Sequence, residues 1–309
     1  MVRLHKHNSK KRAMSIVLVC ILSACVVAVG ITKFYKKSDK TSTKENKVQA
    51  IDKNAKPVEK KQPIVNDTDI VKGMNVTVAG EKYADSGQEI QEVLRHGKMN
   101  IDGKKIAYLT FDDGPSTTVT PQILNILKEK DVKATFFIVG QSLKESEKSK
   151  QLLKEEIQQG NAIANHSYTH DYKHLYPHRR VNVDAFMEEI NKTNNEMKSI
   201  LGQDFDTRII RFPGGHMSWK GTKEIDPILK DGSYSFVDWN ALTGDAEGHK
   251  KNPEQLLEYL KKDVNEKAKP DRLIVLMHDT YGKENTAKAL PSVIDYLKSL
   301  GYEFRTIKN

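Results

Sequence analysis

Two neighbouring carboxylates and two histidines give this sequence its chemical character. Asp112 and Asp113 follow an apolar stretch, whereas His166 and His170 lie farther along the chain with three residues between them. Like charges this close raise the pKa of one carboxyl unless a cation neutralises them. Imidazole and carboxylate groups are natural ligands of divalent transition metals, and a site with three of them leaves a position open for water. One aspartate can complete such a site, and the other is then free to act as a base.

Short apolar segments alternate with amphipathic segments from residue 104 onward, which is typical of parallel βα units. The pattern predicts strands over residues 105–111, 134–139, 161–165, 208–211, 234–237, 273–277 and 302–306. It predicts helices over residues 121–130, 145–159, 183–201, 253–267 and 286–300. A further helix over residues 222–230 is expected to be short or broken, because Pro227 lies inside it.

Polar residues that could do chemistry lie at the C-terminal ends of several of these strands. They are Asp112, Asp113, His166, Arg211, the segment 238–245 and His278. Seven alternating strands suit either a barrel or a doubly wound sheet. A parallel barrel gathers the C-terminal strand ends around one opening, so residues far apart in sequence can share a site. We therefore expect an α/β domain over residues 99–309, with a distorted parallel (β/α) barrel of about seven strands.

Five motifs in this order resemble those of the polysaccharide deacetylase family, the family 4 carbohydrate esterases with a NodB-type domain. They are TFDDGP at 110–115, HSYTH at 166–170, RFPG at 211–214, the segment 238–245, and LMHD at 276–279. The resemblance covers residues 104–306. It implies a distorted (β/α) barrel, removal of N- or O-acetyl groups from sugars, and one divalent metal ion. We expect zinc, with cobalt, manganese and nickel as alternatives that tolerate the same ligands.

The resemblance also implies a role for each residue of the first, second and fifth motifs. Asp113, His166 and His170 are expected to be the metal ligands. Asp112 is expected to be the general base, and His278 the general acid that protonates the leaving amine. Without the resemblance, an Asp-Asp-Gly-Pro run is often only a turn, and two histidines at this spacing can be a surface pair.

The third and fifth motifs contribute further expected contacts. Arg211 is expected to orient Asp112 by charge pairing, with a structural ion pair as the alternative interpretation. Leu276 is expected to line the pocket for the acetyl methyl group, or to pack in the core. The family usually has tyrosine at the position of Gly214. The backbone N–H of this residue remains available to an oxyanion, but the aromatic wall of the groove is lost.

The fourth motif also departs from the family, which usually has Asp-Trp at its end. Aligning Trp239 with the tryptophan that often precedes the motif places Asp245 on the aspartate that tunes the acid histidine, and Ala246 on the usual tryptophan. We therefore expect Asp245 to contact His278, with Asp238 as the second candidate. Trp239 is expected to bind substrate.

The N-terminal part of the sequence has the features of a membrane anchor. Residues 1–12 are rich in lysine and arginine, and residues 13–32 are uncharged and largely apolar. A helix of about twenty residues spans the roughly 30 Å hydrocarbon core, and a basic flank stays cytoplasmic. We expect a cytoplasmic tail, a single transmembrane helix and a catalytic domain outside the cytoplasm. A cleaved signal peptide and a lipidated Cys25, from the lipobox-like run at 22–25, are the alternatives.

The segment between the anchor and the barrel divides into two parts. Residues 33–62 are polar and lysine-rich, which predicts a disordered tether. Residues 63–98 are a linker or a small N-terminal extension, either a separate subdomain or an arm packed on the barrel. Within them, residues 75–79 predict a strand and residues 88–95 a short helix.

Composition narrows the class of function. Both cysteines lie within residues 13–32, so no disulfide is expected in the exported part. The net charge is +9, but no basic-aromatic pattern or nucleic-acid motif accompanies it, which argues against nucleic-acid binding. The expected partners are a polysaccharide and, through the anchor, the membrane.

The sequence therefore predicts a metal-dependent hydrolase that removes acetyl groups from the N-acetylglucosamine residues of cell-wall peptidoglycan and releases acetate. One alternative is the same chemistry on another polymer, such as chitooligosaccharide, poly-N-acetylglucosamine or acetyl-xylan. The other is a wall-binding protein with a degenerate site that does not catalyse.

Overall fold

The structure, a computed structural model, describes residues 66–96, 103–267 and 270–309. Its helices are α1 (Val78–Glu81), α2 (Gly87–His96), α3 (Thr120–Glu129), α4 (Glu147–Gln158), α5 (Tyr172–Leu175), α6 (Val183–Leu201), α7 (Thr222–Asp231), α8 (Pro253–Glu266) and α9 (Glu284–Ser299). Its strands are β1 (Ala84–Ser86), β2 (Lys105–Gly114), β3 (Thr135–Ile138), β4 (Ala162–Asn165), β5 (Ile209–Ile210), β6 (Ser235–Phe236), β7 (Ala241–Leu242), β8 (Arg272–His278), β9 (Tyr302–Phe304) and β10 (Thr306–Lys308). The expectations for residues 1–12, 13–32 and 33–62 lie outside the described residues.

The main sheet is parallel and runs in the order β6-β5-β4-β3-β2-β8-β7, with β9 added beside the start of β2. Among the described strands, the edge strands β6 and β7 do not pair with each other, so the sheet curls into an open half-barrel. The expected parallel (β/α) architecture of seven strands is thus confirmed, in an incompletely closed form.

The central strands are buried on both faces, because the helices cover one face and the barrel interior lies on the other. On β2, Ala107, Leu109 and Phe111 belong to the large cluster under the helices. Tyr108, which alternates with them, belongs to the interior cluster with Phe137. This alternation decides which side chains at the strand ends point into the barrel mouth.

Residues 66–96 form an arm packed on the barrel rather than a separate subdomain. Strand β1 pairs in parallel with β10, with Ala84 opposite Thr306. The Asp85 carboxylate on β1 also binds the barrel, because it accepts hydrogen bonds from the hydroxyl of Tyr108 on β2 (2.6 Å) and from Arg305 Nε (2.8 Å). The short helix expected at 88–95 is confirmed as α2.

Two predicted strands differ in the structure. The strand expected over residues 302–306 is divided into β9 and β10. Residues 75–79 do not form a strand. Thr77 instead caps helix α1, with its side chain accepting from the Gly80 N–H. The helix expected over residues 222–230 is present as α7 and is not broken at Pro227, because burial of Ile225 and Leu229 outweighs the loss of one backbone hydrogen bond. The short strands β1 and β7 were not predicted at all.

In the parts of the chain that the structure describes, there is no helix with both the length and the apolar character needed to cross a bilayer.

Candidate active site and metal centre

The two aspartates leave β2 in different directions. Asp112 continues the strand alternation and is only 2% exposed. Between Asp112 and Gly114 the pairing of β2 with β3 is irregular, and Asp113 has a φ of 70°. Such a bulge re-aims a side chain. As a result, both consecutive carboxylates approach the same imidazole, with Asp112 Oδ2 and Asp113 Oδ1 each 3.5 Å from His166 Nε2.

Asp113, His166 and His170 form a cluster whose ligand atoms all lie within 4.8 Å of one another. Asp113 Oδ1 lies 3.5 Å from His166 Nε2 and 3.4 Å from His170 Nε2. This carboxylate oxygen is buried and has no hydrogen-bond partner among the described residues. A buried polar atom without a partner is costly, and a cation between the three groups would satisfy it. The residues therefore fit a divalent metal.

The rest of the protein presents His166 Nε2 towards this cluster. His166 Nδ1 lies 2.9 Å from the Arg211 carbonyl, which accepts its hydrogen bond and so fixes the tautomer that leaves Nε2 unprotonated. Burial, reinforced by the neighbouring His170, lowers the pKa of His166 to about 3. The imidazole is therefore neutral at physiological pH, as a metal ligand must be.

Helix α6 holds the loop that carries His170. The Glu189 carboxylate accepts from the backbone N–H groups of Tyr168 and Thr169, each at 3.0 Å, and from the Thr169 hydroxyl at 2.5 Å. The Thr193 hydroxyl donates to the Ser167 carbonyl at 2.8 Å. Sequence reasoning missed these residues. The available signal was two polar side chains on a helix face otherwise lined by buried apolar residues.

Arg211 is fully buried, directly follows β5 and binds Asp112, the candidate base. Its Nη1 donates to Asp112 Oδ1 at 2.7 Å and to the Thr110 hydroxyl at 2.9 Å, and its Nε donates to the Val237 carbonyl at 2.8 Å. Burial raises the pKa of Asp112, and the Arg211 charge opposes that rise. The pair is thus both a structural ion pair and the element that orients Asp112.

His278 ends β8 directly opposite Asp112 on β2. Its Nδ1 lies 2.9 Å from Asp245 Oδ1, and its backbone N–H donates to Asp245 Oδ2 at 2.9 Å. Burial lowers the pKa of His278, but the hydrogen bond and charge of Asp245 outweigh it and raise the pKa to about 9. Asp238, the second candidate, instead accepts from the backbone N–H groups of His216 and Met217.

The three residues expected to contact the substrate lie in or just after strands β5, β6 and β8 of the main sheet. Leu276 is 6% exposed and shares a face of β8 with His278, whereas the alternate residue Met277 is fully buried in the large cluster. Gly214 has a φ of 77°. Trp239 covers Gly215, because a Cβ atom built on Gly215 would lie 3.0 Å from its ring.

Residues 100–227 match the polysaccharide deacetylase family. The structure of a CE4 esterase from Streptococcus mutans is 35% identical, with a TM-score of 0.73, and the match covers 79% of this chain and 100% of that one. The chain belongs to the polysaccharide deacetylase family, a family of hydrolases for which metal dependence is typical.

Two curated relatives are longer proteins. The peptidoglycan-N-acetylglucosamine deacetylase PgdA of Listeria monocytogenes is 32% identical over 228 residues, which are 74% of this chain and 42% of that protein. A bifunctional xylanase/deacetylase of Pseudobutyrivibrio xylanivorans is 31% identical over 209 residues, 67% of this chain and 31% of that protein. The chain thus spans less than half the length of either relative.

Proposed function

We propose that this protein is a metal-dependent hydrolase that removes acetyl groups from the N-acetylglucosamine residues of peptidoglycan glycan strands. The observation that carries the proposal is the partnerless Asp113 Oδ1 facing two imidazole nitrogens. Beside it lies a second carboxylate, Asp112, which Arg211 holds and which is not needed as a ligand. Metal-assisted hydrolysis of an acetamide requires both a set of metal ligands and a separate general base.

Asp113, His166 and His170 would hold the metal, and zinc suits two imidazoles and one carboxylate. Cobalt, manganese and nickel tolerate the same donors. When bound, the cation supplies Lewis-acid chemistry by polarising the acetyl carbonyl and lowering the pKa of a water molecule.

Asp112 removes the proton from the attacking water, and its bond to Arg211 fixes the direction in which it accepts. The water oxygen forms a bond to the acetyl carbon, and the carbon–nitrogen bond then breaks. His278 gives its proton to the departing nitrogen, and Asp245 keeps His278 protonated for this step. The products are acetate and a free amine on the sugar.

The remaining residues would hold the substrate. The backbone N–H of Gly214 is available to the developing oxyanion. Leu276 lies next to His278 on the inner face of β8, where it would contact the acetyl methyl group. Trp239 would line the groove beside Gly215.

The choice of polymer is supported by the named substrate of the Listeria relative. Acetyl-xylan is the competing substrate class, because the other relative combines a xylanase with a deacetylase. The test is acetate release by the metal-loaded protein from equal acetyl content of peptidoglycan, chitooligosaccharide and acetyl-xylan. The proposal predicts the highest kcat/KM on peptidoglycan or its oligosaccharides. A higher kcat/KM on acetyl-xylan would instead identify that polymer as the substrate.

A degenerate, non-catalytic wall-binding protein is the other alternative. A degenerate site would be expected to lack a ligand, the base or the acid. Here the ligand set is complete, and both Asp112 and His278 keep a buried charged partner. These contacts favour catalysis over binding alone.

We also propose that the protein is held at the cell membrane by residues 13–32, with the barrel outside the cytoplasm. The support is the sequence alone, in which a basic flank precedes an uncharged apolar run of membrane-spanning length. A tether over residues 33–62 would allow the barrel to reach the wall.

A further inference from the structure

Tyr172 is an exposed aromatic residue next to the metal centre that the proposed chemistry does not use. It is the first residue of α5, and 45% of its surface is exposed. Its ring centroid lies 5.2 Å from that of His170. Within the described part of the chain, no hydrogen bond restrains its hydroxyl group. Nearly half of Tyr172 is therefore accessible to a ligand beside His170.

The ring is nevertheless held firmly in place. It meets Trp219 edge-on, with the ring centroids 5.3 Å apart and an interplanar angle of 70°. Trp219 stacks on Tyr176 at 4.0 Å and 11°, and its Nε1 donates to the Pro213 carbonyl at 2.8 Å. Tyr172 is thus preorganised, which reduces the entropy lost when a ligand packs against it.

Gly214 creates the room for this arrangement. A Cβ atom built there would lie 3.1 Å from Trp219 Cζ2 and 3.2 Å from the Tyr172 hydroxyl oxygen. A side chain at position 214 and the observed placement of Tyr172 therefore compete for the same space. An aromatic side chain from α5 thus lies beside the position where a side chain at residue 214 would begin.

We infer that Tyr172, braced by Trp219, is the sugar-stacking platform of this site and a determinant of its specificity for glycans. Its flat apolar face would pack on the C–H face of the hexosamine ring whose acetyl group enters the metal centre. The inference rests on the proposed function, because it identifies the surface that binds the same substrate.

The sequence provides a direct probe of this surface. It contains two tryptophans, Trp219 and Trp239. They lie against Gly214 and Gly215, respectively. Intrinsic tryptophan fluorescence should therefore report on ligand binding at this place, without turnover, in the metal-loaded Asp112→Asn protein.

The experiment compares Tyr172→Ala, Tyr172→Phe and the control Tyr281→Ala. Tyr281 is exposed to a similar extent (47%), but its hydroxyl contacts Thr117 and Glu145 instead of the triad. Acetate release from the probe ligand, N-acetylglucosamine tetrasaccharide, gives kcat and KM. Fluorescence titration with the same tetrasaccharide gives Kd. Tyr172→Ala should raise KM and Kd about 10-fold to 100-fold, with unchanged metal content and a smaller effect on kcat. Tyr172→Phe and Tyr281→Ala should resemble the wild type.

An unchanged KM and Kd in Tyr172→Ala would overturn the platform while leaving the deacetylase intact. A Phe variant as defective as the Ala variant would also overturn it, because the hydroxyl and not the ring would then be responsible. If no glycan yields acetate but the probe binds and Tyr172→Ala loses that binding, the platform stands and the catalytic proposal fails. If the wild type neither binds nor hydrolyses the probe, both are wrong.

Discussion

Asp112 and Asp113 are neighbours in the chain but have different surroundings. Asp112 is almost completely buried, with its Oδ1 2.7 Å from Arg211 Nη1. Asp113 has a side chain that is 25% exposed, and its Oδ1 faces two imidazoles. The difference arises from the backbone, since the positive φ at Asp113 turns the second carboxylate out of the strand alternation. The sequence pattern alone predicted the pair but not the bulge that separates its members.

His278 must be protonated to act as an acid, and this sets the sign of one pH prediction. Its pKa of about 9 depends on Asp245, so activity should persist below that pKa and disappear as the pH rises through it. Asp245→Asn removes the charge that raises the pKa most, so that burial, which lowers the pKa, is opposed only by the charges of Asp112 and Asp113. The alkaline limb of kcat/KM should then move to lower pH by about 1–3 pH units. The measurement is acetate release across pH at constant ionic strength.

Asp238→Asn is the matched control, because Asp238 bonds to the 216–217 backbone and not to His278. Its alkaline limb should stay at the wild-type position. An equal displacement in both variants, or none in Asp245→Asn, would show that Asp245 does not set the protonation of His278.

At the scale of elements, α6 functions as the support for the loop between β4 and α5. Glu189 binds the backbone of that loop at Tyr168 and Thr169, two residues and one residue before His170. Glu189→Gln should weaken metal binding about 10-fold to 100-fold, as losses of groups that orient metal ligands generally do. Metal content after competition with a chelator measures this. Glu188→Gln on the exposed face of the same helix should retain wild-type affinity. Equal affinities in the two variants would contradict the supporting role.

Long periodic elements were predictable and short ones were not. The helix expected over residues 183–201 has those bounds in the structure, because its apolar spacing extends over five turns. Strands β1 and β7 contain three and two residues, too few for any periodicity. They form because each pairs with a strand that is distant in sequence: β1 pairs with β10, and β7 pairs with β8. Residues 75–79 alternate like a strand, yet the Thr77 cap favours the helix α1.

At the scale of the whole molecule, the parallel topology brings together strand ends that the motifs marked separately. Asp112 on β2 lies opposite His278 on β8. On the neighbouring pair, β4 ends at Asn165 opposite Ile210 of β5. The next residues along these two strands are His166 and Arg211. The site was predictable because every motif follows a strand of the same sheet. Tyr172 was not, since its place beside Gly214 depends on packing against Trp219 and Tyr176.

The proposed anchor gives a prediction for the whole chain. The full-length protein should sediment with membranes and resist extraction by high salt, and protease added outside the cell should reach the barrel. A form that lacks residues 1–32 should be released. A mature N-terminus at a lipidated Cys25, or after a cleaved signal, would contradict a transmembrane anchor.

The most direct test measures metal content and acetate release from peptidoglycan on the same preparations of wild type, His170→Ala and Asp112→Asn. His170→Ala should lose both the metal and the activity, because one of three protein ligands is gone. Asp112→Asn should keep the metal and lose about 10²–10⁴-fold in rate, because only the base is removed. Full metal occupancy in His170→Ala, or near-wild-type acetate release by Asp112→Asn, would contradict the division between ligands and base.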